Sequence, residues 1–188
     1  YINIRNSNKS HLYYKKILWE YFFYINKIKV NKIDLLEPMC GYGEGYNIIK
    51  NFSQIKINSY YGFDYSEKIV NFCKKNKKNL KIKFLDIINF KEKNIYNFAI
   101  LIGGLHHVHQ DVDLAINNIC NSIKGGGYII NFEPTFELKV IEKIRAVIYK
   151  KNNFFDENTE KDFNLNELNK KFEKNNLKLV MNVRVGYF

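Results

Sequence analysis

The stretch Leu35-Leu36-Glu37-Pro38-Met39-Cys40-Gly41-Tyr42-Gly43-Glu44-Gly45 decides the fold of this chain. An apolar run ends in an acid, and glycines then occupy every second position of the turn that follows. Glycine is needed where the backbone takes a positive φ, or where it approaches a ligand so closely that a Cβ would collide. The pattern therefore predicts a buried strand that turns sharply into a helix, from about residue 44 to residue 51, whose free N–H groups face a ligand.

Two nucleotide-binding motifs can be tested against this spacing. The dinucleotide fingerprint G-x-G-x-x-G has two residues between its last two glycines, whereas this loop has one, with an acid four residues before its first glycine. The P-loop pattern fails because no Gly-Lys-Ser/Thr follows. A loop without the pyrophosphate spacing, and with Glu37 at its mouth, suits a ligand that carries no phosphate and has a positive end. S-adenosylmethionine is such a ligand.

Length and composition indicate one globular domain. The chain has 188 residues, of which 46% are hydrophobic and 16% aromatic, and such a composition excludes a disordered chain. Its cysteines, Cys40, Cys73 and Cys120, are odd in number and lack C-x-x-C spacing, which argues against a disulfide framework or a zinc ribbon and favours a reducing cytoplasm. No apolar run is long enough to predict a membrane span. The first residue is not Met, so we expect the natural protein to be longer.

The net charge of +11 raises the question of nucleic-acid binding. Nearly all the cations are lysines, and Asn and Ile are equally abundant, a bias that an AT-rich genome produces through codon usage. The cluster at residues 74–78 falls at a predicted helix end, where cations also favour the helix dipole. A solvated face is therefore the favoured interpretation, and a nucleic-acid partner is the less favoured alternative.

Strands and helices alternate along the chain, which predicts a mostly parallel sheet with helices on both faces. A first helix begins at Ser10 and reaches about Lys29. Strands are predicted near 33–38, 58–63, 81–85, 96–102, 127–133 and 177–185, and further helices near 44–52, 66–78, 111–123, 137–151 and 165–175. A polar loop is predicted from Lys151 to Lys161.

Four ordered landmarks follow the glycine loop: Tyr60-Tyr61-Gly62-Phe63-Asp64, Lys83-Phe84-Leu85-Asp86-Ile87, residues 96–108 with Leu105-His106-His107, and residues 123–134 with Gly125-Gly126-Gly127 and Glu133-Pro134. With the loop, they resemble the class I S-adenosylmethionine-dependent methyltransferases, in particular the small type 11 domains. Met39 departs from this pattern, since the family commonly has its first glycine at that position.

The resemblance implies a doubly wound, Rossmann-like α/β sheet that ends in an antiparallel hairpin. The strand at 177–185 would be the first member of that hairpin, and nothing remains for the second, so the hairpin is expected to be truncated. An uncovered edge favours association, and we therefore expect either a longer natural protein or a homodimer. Residues 1–32 are interpreted as a helical lid and residues 33–188 as the methyltransferase core.

The resemblance also implies how the cofactor is held. Gly41, Tyr42, Gly43 and Gly45 would bring the backbone to the methionine and ribose parts, and Glu37 would either support the loop or accept from the ammonium group. Asp64 would accept from the ribose hydroxyls, and Tyr65 would lie against the adenine. Asp86 and the Ile87 N–H would bind the adenine edge, and Gly103 would border the methionine.

Two of these residues have simpler alternatives. Asp64 could cap the following helix, because it stands just before Ser66 and Glu67. Asp86 could be a solvated loop acid. The glycine loop and the order of the landmarks favour the binding roles over both alternatives.

Methyl transfer to a hydroxyl needs a base, and histidine suits that role at neutral pH. His106 and His107 follow the fourth strand and are the catalytic candidates, although one of them could serve only to position the loop. His11, on the first helix, could belong to a lid. The His106-His107-x-His109 spacing and the lack of H-E-x-x-H argue against a metal site.

Together these features and the resemblance predict a cytoplasmic methyltransferase that acts on a small molecule, most simply at an oxygen of a metabolite or sugar-like acceptor, and releases S-adenosylhomocysteine. Two alternatives stay open. One is an enzyme that methylates nitrogen or RNA. The other is a non-catalytic, cofactor-binding subunit of a larger complex.

Overall fold

The computed structural model describes residues 9–26, 28, 30–136 and 163–184 of the chain. Its helices are α1 (Lys9–Asn26), α2 (Glu44–Phe52), α3 (Glu67–Asn76), α4 (Val112–Ser122) and α5 (Leu165–Glu173). Its strands are β1 (Lys32–Pro38), β2 (Lys56–Asp64), β3 (Ile82–Phe84), β4 (Tyr96–Ile102), β5 (Ile123–Phe132), β6 (Thr135–Phe136) and β7 (Phe163–Asn164). Two 3-10 helices cover Ile87–Asn89 and Leu105–Asp111.

Five of the strands form one parallel sheet in the order β3-β2-β1-β4-β5. The first strand therefore lies at the centre, with Leu35 paired to Tyr60 on one side and to Phe98 on the other. Chain connections leave β1 toward one edge and β4 toward the other. The loops after these two strands consequently border the crevice at which open α/β sheets bind their ligands. The remaining strands, β6 and β7, form a separate parallel pair.

Alternating residues of the central strands build a core on each face of the sheet. Leu36, Ala99 and Leu101 pack in a cluster that includes Ile116 of α4 and Leu168 of α5. The neighbouring positions of the same strands face the other way, into a second cluster. That cluster contains Trp19 of α1, Ile48 and Ile49 of α2, and Leu35, Phe98 and Ile100 of the sheet. Both faces are thus covered by helices, which explains why β1 and β4 read as nearly continuous apolar runs.

The predicted α/β fold is confirmed. The expected strands from 33 to 133 and the helices near 44–52, 66–78, 111–123 and 165–175 are all present, with small shifts at their ends. The fifth strand begins at Ile123 instead of residue 127, with a register irregularity between Tyr96 and Phe98 and a left-handed backbone at Gly126 (φ 78°). The predicted glycine turn is therefore an irregular part of the strand.

The prediction of a strand at 177–185 is wrong for its described part, 177–184, where the backbone pairs with no strand of the described chain. Leu179 and Val180 are 48% and 72% exposed, so their side chains find no sheet face to pack against. Strand propensity depends on such packing. The predicted helix at 137–151 and the loop at 151–161 lie outside the described residues.

Among the described helices, none combines the length and the apolar character that crossing a lipid bilayer demands.

Candidate cofactor and active site

The glycine loop lies where the topology predicts a ligand crevice. It follows β1, and the loop that begins at Gly103 follows β4 beside it. The two loops touch, because a Cβ added to Gly104 would lie 2.9 Å from the Cβ of Met39. Met39 itself has a left-handed backbone, with φ 49°. A glycine would adopt this conformation without strain. Met39 therefore has the backbone conformation that the family's first glycine would provide at this position.

The three glycines of the loop have different surroundings. Gly41 has φ 49°, and a Cβ there would meet no atom of the described residues within 4 Å. By contrast, a Cβ on Gly43 would lie 2.8 Å from Leu80 Cδ1, and one on Gly45 would lie 2.5 Å from Ile100 Cγ2. Gly41 therefore borders open space, whereas Gly43 and Gly45 allow close packing of the loop and of α2 against the sheet.

Glu37, at the carboxyl end of β1, is 1% exposed, and its carboxylate binds the end of the glycine loop where α2 begins. Its Oε1 accepts from the Gly45 N–H at 2.6 Å, and its Oε2 accepts from the Tyr46 N–H and the Tyr60 hydroxyl, both at 2.9 Å. It thereby satisfies N–H groups in the first turn of α2, which have no partner within the helix. Burial raises the pKa of Glu37 to about 7, although these three hydrogen bonds act in the opposite direction.

Asp64, at the carboxyl end of β2, reaches across to the glycine loop. Its Oδ2 accepts from the Gly41 N–H at 2.8 Å, and its Oδ1 accepts from the Ser66 N–H at 2.8 Å. Asp64 therefore holds the turn that leads to Ser66, the N-cap residue of α3, but α3 has no side-chain capping bond, so the alternative of a helix cap is not what Asp64 provides. Its contact with the glycine loop was not predicted from the sequence. Each carboxylate oxygen has two acceptor sites, so the side chain retains capacity for ligand hydroxyls.

Two exposed aromatic rings follow the ends of β2 and β3. Tyr65 is 69% exposed and Phe84 is 54% exposed. Their rings stack, with centroids 5.7 Å apart and an interplanar angle of 24°. They form a flat apolar surface at the same edge of the sheet as Asp64.

Asp86 and Ile87 lie after β3. The Asp86 side chain accepts from the Ile88 N–H at 3.0 Å and so caps the short 3-10 helix at Ile87–Asn89. Ile87 is 2% exposed and belongs to the core. Tyr42, on the glycine loop, packs edge-on against Phe72, and its carbonyl oxygen accepts from Lys77 Nζ at 2.5 Å.

A buried carboxylate that the sequence reasoning did not select organises the histidine loop. Glu133 follows β5, and its side chain is 0% exposed. Its Oε1 accepts from the Gly104 and Leu105 N–H groups, both at 2.7 Å, and its Oε2 lies 2.9 Å from His106 Nδ1. The only sequence signal was the acid itself, placed directly after the fifth strand, where the carboxyl ends of the strands gather.

The ring of His106 lies over Gly103, since a Cβ added there would be 3.7 Å from His106 Cε1. The His106 side chain is 14% exposed. His107 is exposed, and its ring centroid lies 4.0 Å from that of His106. His109 stacks on Phe163, and the side chain of His11 lies outside the described part. The fold thus places His106 against a buried carboxylate beside the crevice.

The cysteines near the loop are buried and lie in surroundings that disfavour the thiolate. Burial, with Glu37 and Asp64 as further contributors, raises the pKa of Cys40. Burial also raises the pKa of Cys73. Neither thiol is suited to act as a nucleophile. Within the described ranges, no group of His, Cys, Asp and Glu side chains could hold a metal ion.

A crevice at the switch point of a parallel sheet, lined by an open glycine loop and strand-end carboxylates, defines the class of α/β proteins that bind nucleoside-type ligands. Within that class, a sequence model described as "Methyltransferase domain" matches residues 36–131, just over half of the chain. The chain belongs to this family and is a class I S-adenosylmethionine-dependent methyltransferase.

Solved structures show the same fold. The YcgJ protein of Bacillus subtilis superposes with a TM-score of 0.66 at 14% identity, over 87% of this chain and 68% of that one. An S-adenosylmethionine-dependent methyltransferase of Archaeoglobus fulgidus superposes with a TM-score of 0.59 at 16% sequence identity, over 89% of this chain and 74% of that one. A putative methyltransferase of Haloferax volcanii was solved in complex with the Trm112 methyltransferase activator. It superposes with a TM-score of 0.64 at 13% sequence identity, over 84% of this chain and 67% of that one. No curated protein sequence matches the chain significantly.

Proposed function

We propose that this methyltransferase acts on an oxygen of a small-molecule acceptor, such as a metabolite or a sugar-like compound, with His106 as the base. The observation that carries the proposal is the position of His106, which lies over Gly103 at the end of β4 with its Nδ1 against Glu133. A hydroxyl acceptor must lose a proton as it gains the methyl group. A positioned imidazole can take that proton near neutral pH.

The described residues fit S-adenosylmethionine. Gly41 and Gly103 both have left-handed backbones; a Cβ at Gly41 would meet no atom of the described residues within 4 Å, and one at Gly103 would lie 3.7 Å from His106 Cε1. This supports the proposal that the methionine part lies against these two glycines. Asp64 would accept from the ribose hydroxyls with the acceptor capacity that Gly41 and Ser66 leave. The cofactor supplies an activated methyl group, and the protein's contribution is to align the acceptor and exclude water.

The other cofactor residues of the proposal divide into two groups. Tyr65 offers its stacked, exposed ring to the adenine, with Asp86 and the Ile87 N–H at the adenine edge. Glu37, Tyr42, Gly43 and Gly45 act through the shape of the loop. For Glu37, the three hydrogen bonds favour support of the loop over direct contact with the ammonium group.

Calorimetric titration tests the cofactor site directly. We expect the full chain to bind S-adenosylmethionine and S-adenosylhomocysteine but not NAD. Asp64→Ala should weaken binding at least tenfold, whereas Glu92→Gln, at a carboxylate that accepts from the Tyr96 hydroxyl, should bind like the wild type. Preference for NAD, or full affinity in Asp64→Ala, would contradict the proposed site. Release of S-adenosylhomocysteine with a panel of hydroxylated metabolites would then identify the acceptor.

The charge of the chain favours RNA as the second candidate acceptor. The excess of cations is +11 overall, and a basic protein that binds a polyanion loses affinity steeply as salt rises. RNA binding measured from about 50 to 200 mM salt separates the two acceptors, because a neutral metabolite gives a nearly flat dependence. A methyltransferase that acts on nitrogen would be recognised by the methylated product.

The non-catalytic alternative is a cofactor-binding subunit that works only with a partner protein. The structure of the Haloferax volcanii neighbour in complex with an activator protein gives an example of such a partner. Cofactor binding without turnover on any acceptor, together with a stable complex with a second protein, would favour it. Light scattering on the purified chain would show whether a second copy, as in a homodimer, is that partner.

A further inference from the structure

Glu133 connects three groups of one loop to the end of β5. Both of its oxygens are used, Oε1 by the Gly104 and Leu105 N–H groups and Oε2 by His106 Nδ1. Its side chain is 0% exposed. A buried carboxylate with this set of partners is costly to leave unpaired, so its contacts define one arrangement of the loop.

The contact with Glu133 decides which nitrogen of His106 carries the proton. An ionised carboxylate can only accept hydrogen bonds. The 2.9 Å contact to Oε2 therefore requires a proton on Nδ1. In a neutral imidazole the other nitrogen, Nε2, then carries the lone pair. Only that nitrogen is able to accept a proton from a substrate.

We propose that Glu133 is a positioning residue that holds His106 in the Nδ1–H tautomer and in the orientation that its base role requires. This inference rests on the proposed function and deepens it. His106 Nε2 takes the proton of the acceptor hydroxyl, whose oxygen bonds to the methyl carbon, while the electron pair of the broken C–S bond remains on sulfur as a neutral thioether. The positive charge that develops on the imidazole lies beside the Glu133 carboxylate, which stabilises it.

The variant Glu133→Gln separates positioning from simple support of the loop. The carbonyl oxygen of Gln can still accept from the Gly104 and Leu105 N–H groups. Its amide NH₂ then lies at His106 Nδ1, where it can only donate. Nδ1 must become an acceptor, and the proton moves to Nε2. The fold contacts are kept while the tautomer is inverted.

Two-bond ¹H–¹⁵N correlation spectra of the full chain, labelled with ¹⁵N-histidine and recorded at alkaline pH, report the tautomer directly. We expect Nδ1–H for His106 in the wild type and in the matched control Glu92→Gln, and Nε2–H in Glu133→Gln. The His106→Asn variant assigns the resonance. An Nε2–H wild type, or the same tautomer in Glu133→Gln as in the wild type, would overturn the inference.

A kinetic measurement tests the consequence, once the panel of hydroxylated metabolites supplies an acceptor. Glu133→Gln and His106→Asn should each lower kcat by about 10²- to 10⁴-fold, with unchanged affinity for S-adenosylmethionine and unchanged thermal midpoint. A kcat equal to that of Glu92→Gln would contradict a positioning role. The tautomer experiment needs neither cofactor nor acceptor. Failure of the wild type to bind S-adenosylmethionine therefore refutes the proposed function, whereas an uninverted tautomer refutes the role of Glu133.

Discussion

At the scale of single residues, the glycines of the loop make separable contributions. Gly45→Ala places a Cβ 2.5 Å from the buried Ile100 Cγ2 and 2.9 Å from Glu37 Oε1. We expect it to lower the free energy of unfolding by about 1–3 kcal/mol, because the core beneath the loop cannot accept another carbon. Gly41→Ala meets only the strain of a left-handed backbone, about 1 kcal/mol, but its Cβ enters the crevice.

Urea denaturation and calorimetric titration of the two variants check this difference. Gly41→Ala should lose at least tenfold in affinity for S-adenosylmethionine at a small cost in stability, and Gly45→Ala should lose mainly stability. The reverse pattern would show that the open space beside Gly41 is not where the cofactor lies.

Glu37 should make stability depend on pH. Its pKa is about 7 in the folded protein against 4.5 for an ordinary Glu, so the folded state binds more protons between these values. The stabilisation that results is fully present below pH 4.5 and is lost as pH rises through 7, a change on the order of 3 kcal/mol for this group. Glu37→Gln cannot ionise and should remove that part of the dependence. Urea unfolding from pH 4.5 to 8 measures it, and parallel curves for the two proteins would contradict the prediction.

The sequence predicted the acids at the strand ends better than it predicted their partners. Glu37 and Asp64 were selected because glycine spacing and strand order place them at the crevice. Their contacts with Tyr60 and Gly41 join positions 23 residues apart, and the Glu133 to His106 contact joins positions 27 residues apart. Local patterns carry no information on such pairs, because the sheet order that brings them together is a property of the whole fold.

At the scale of elements, helix α1 is held to the sheet by aromatic packing. Trp19 is 4% exposed and lies with its ring centroid 5.6 Å from that of Phe132 at the end of β5. Lys15 adds an ion pair with Glu44 at the start of α2. If residues 1–32 act as a lid, the packing of Trp19 on Phe132 and the Lys15–Glu44 ion pair attach the described part of that lid to the core.

We expect Trp19→Ala to cost about 3–5 kcal/mol, since it removes a buried ring, and to raise hydrogen exchange across residues 9–26 more than in β4. Tyr24→Ala is the control on the same helix, because Tyr24 is 80% exposed and such changes stay within about 0.5 kcal/mol. Equal exchange in the two variants would show that α1 is held by other contacts.

The C-terminal segment at 177–184 shows where a sequence pattern wrongly predicts a strand. Strands β1 and β4 were predicted from their apolar runs, which reflect burial on both faces of the sheet. The segment at 177–184 is also rich in apolar residues, yet Val180 is 72% exposed and no described strand pairs with it. A run of apolar residues favours a strand, but a neighbouring strand edge and a covering layer decide whether one forms.

At the scale of the whole molecule, the order β3-β2-β1-β4-β5 determines when the chain can fold during synthesis. Among the five strands of this sheet the central one leaves the ribosome first, and its neighbour β2 is complete at Asp64. Its other neighbour, β4, begins only at Tyr96, and the ladder between them pairs Leu36 with Ala99. Until then one edge of the central strand is unpaired, and loop closure over such a separation is slow. We therefore expect the nascent chain to carry an incomplete sheet with an unpaired β1 edge, and slowing translation after residue 64 should increase aggregation of the newly synthesised protein.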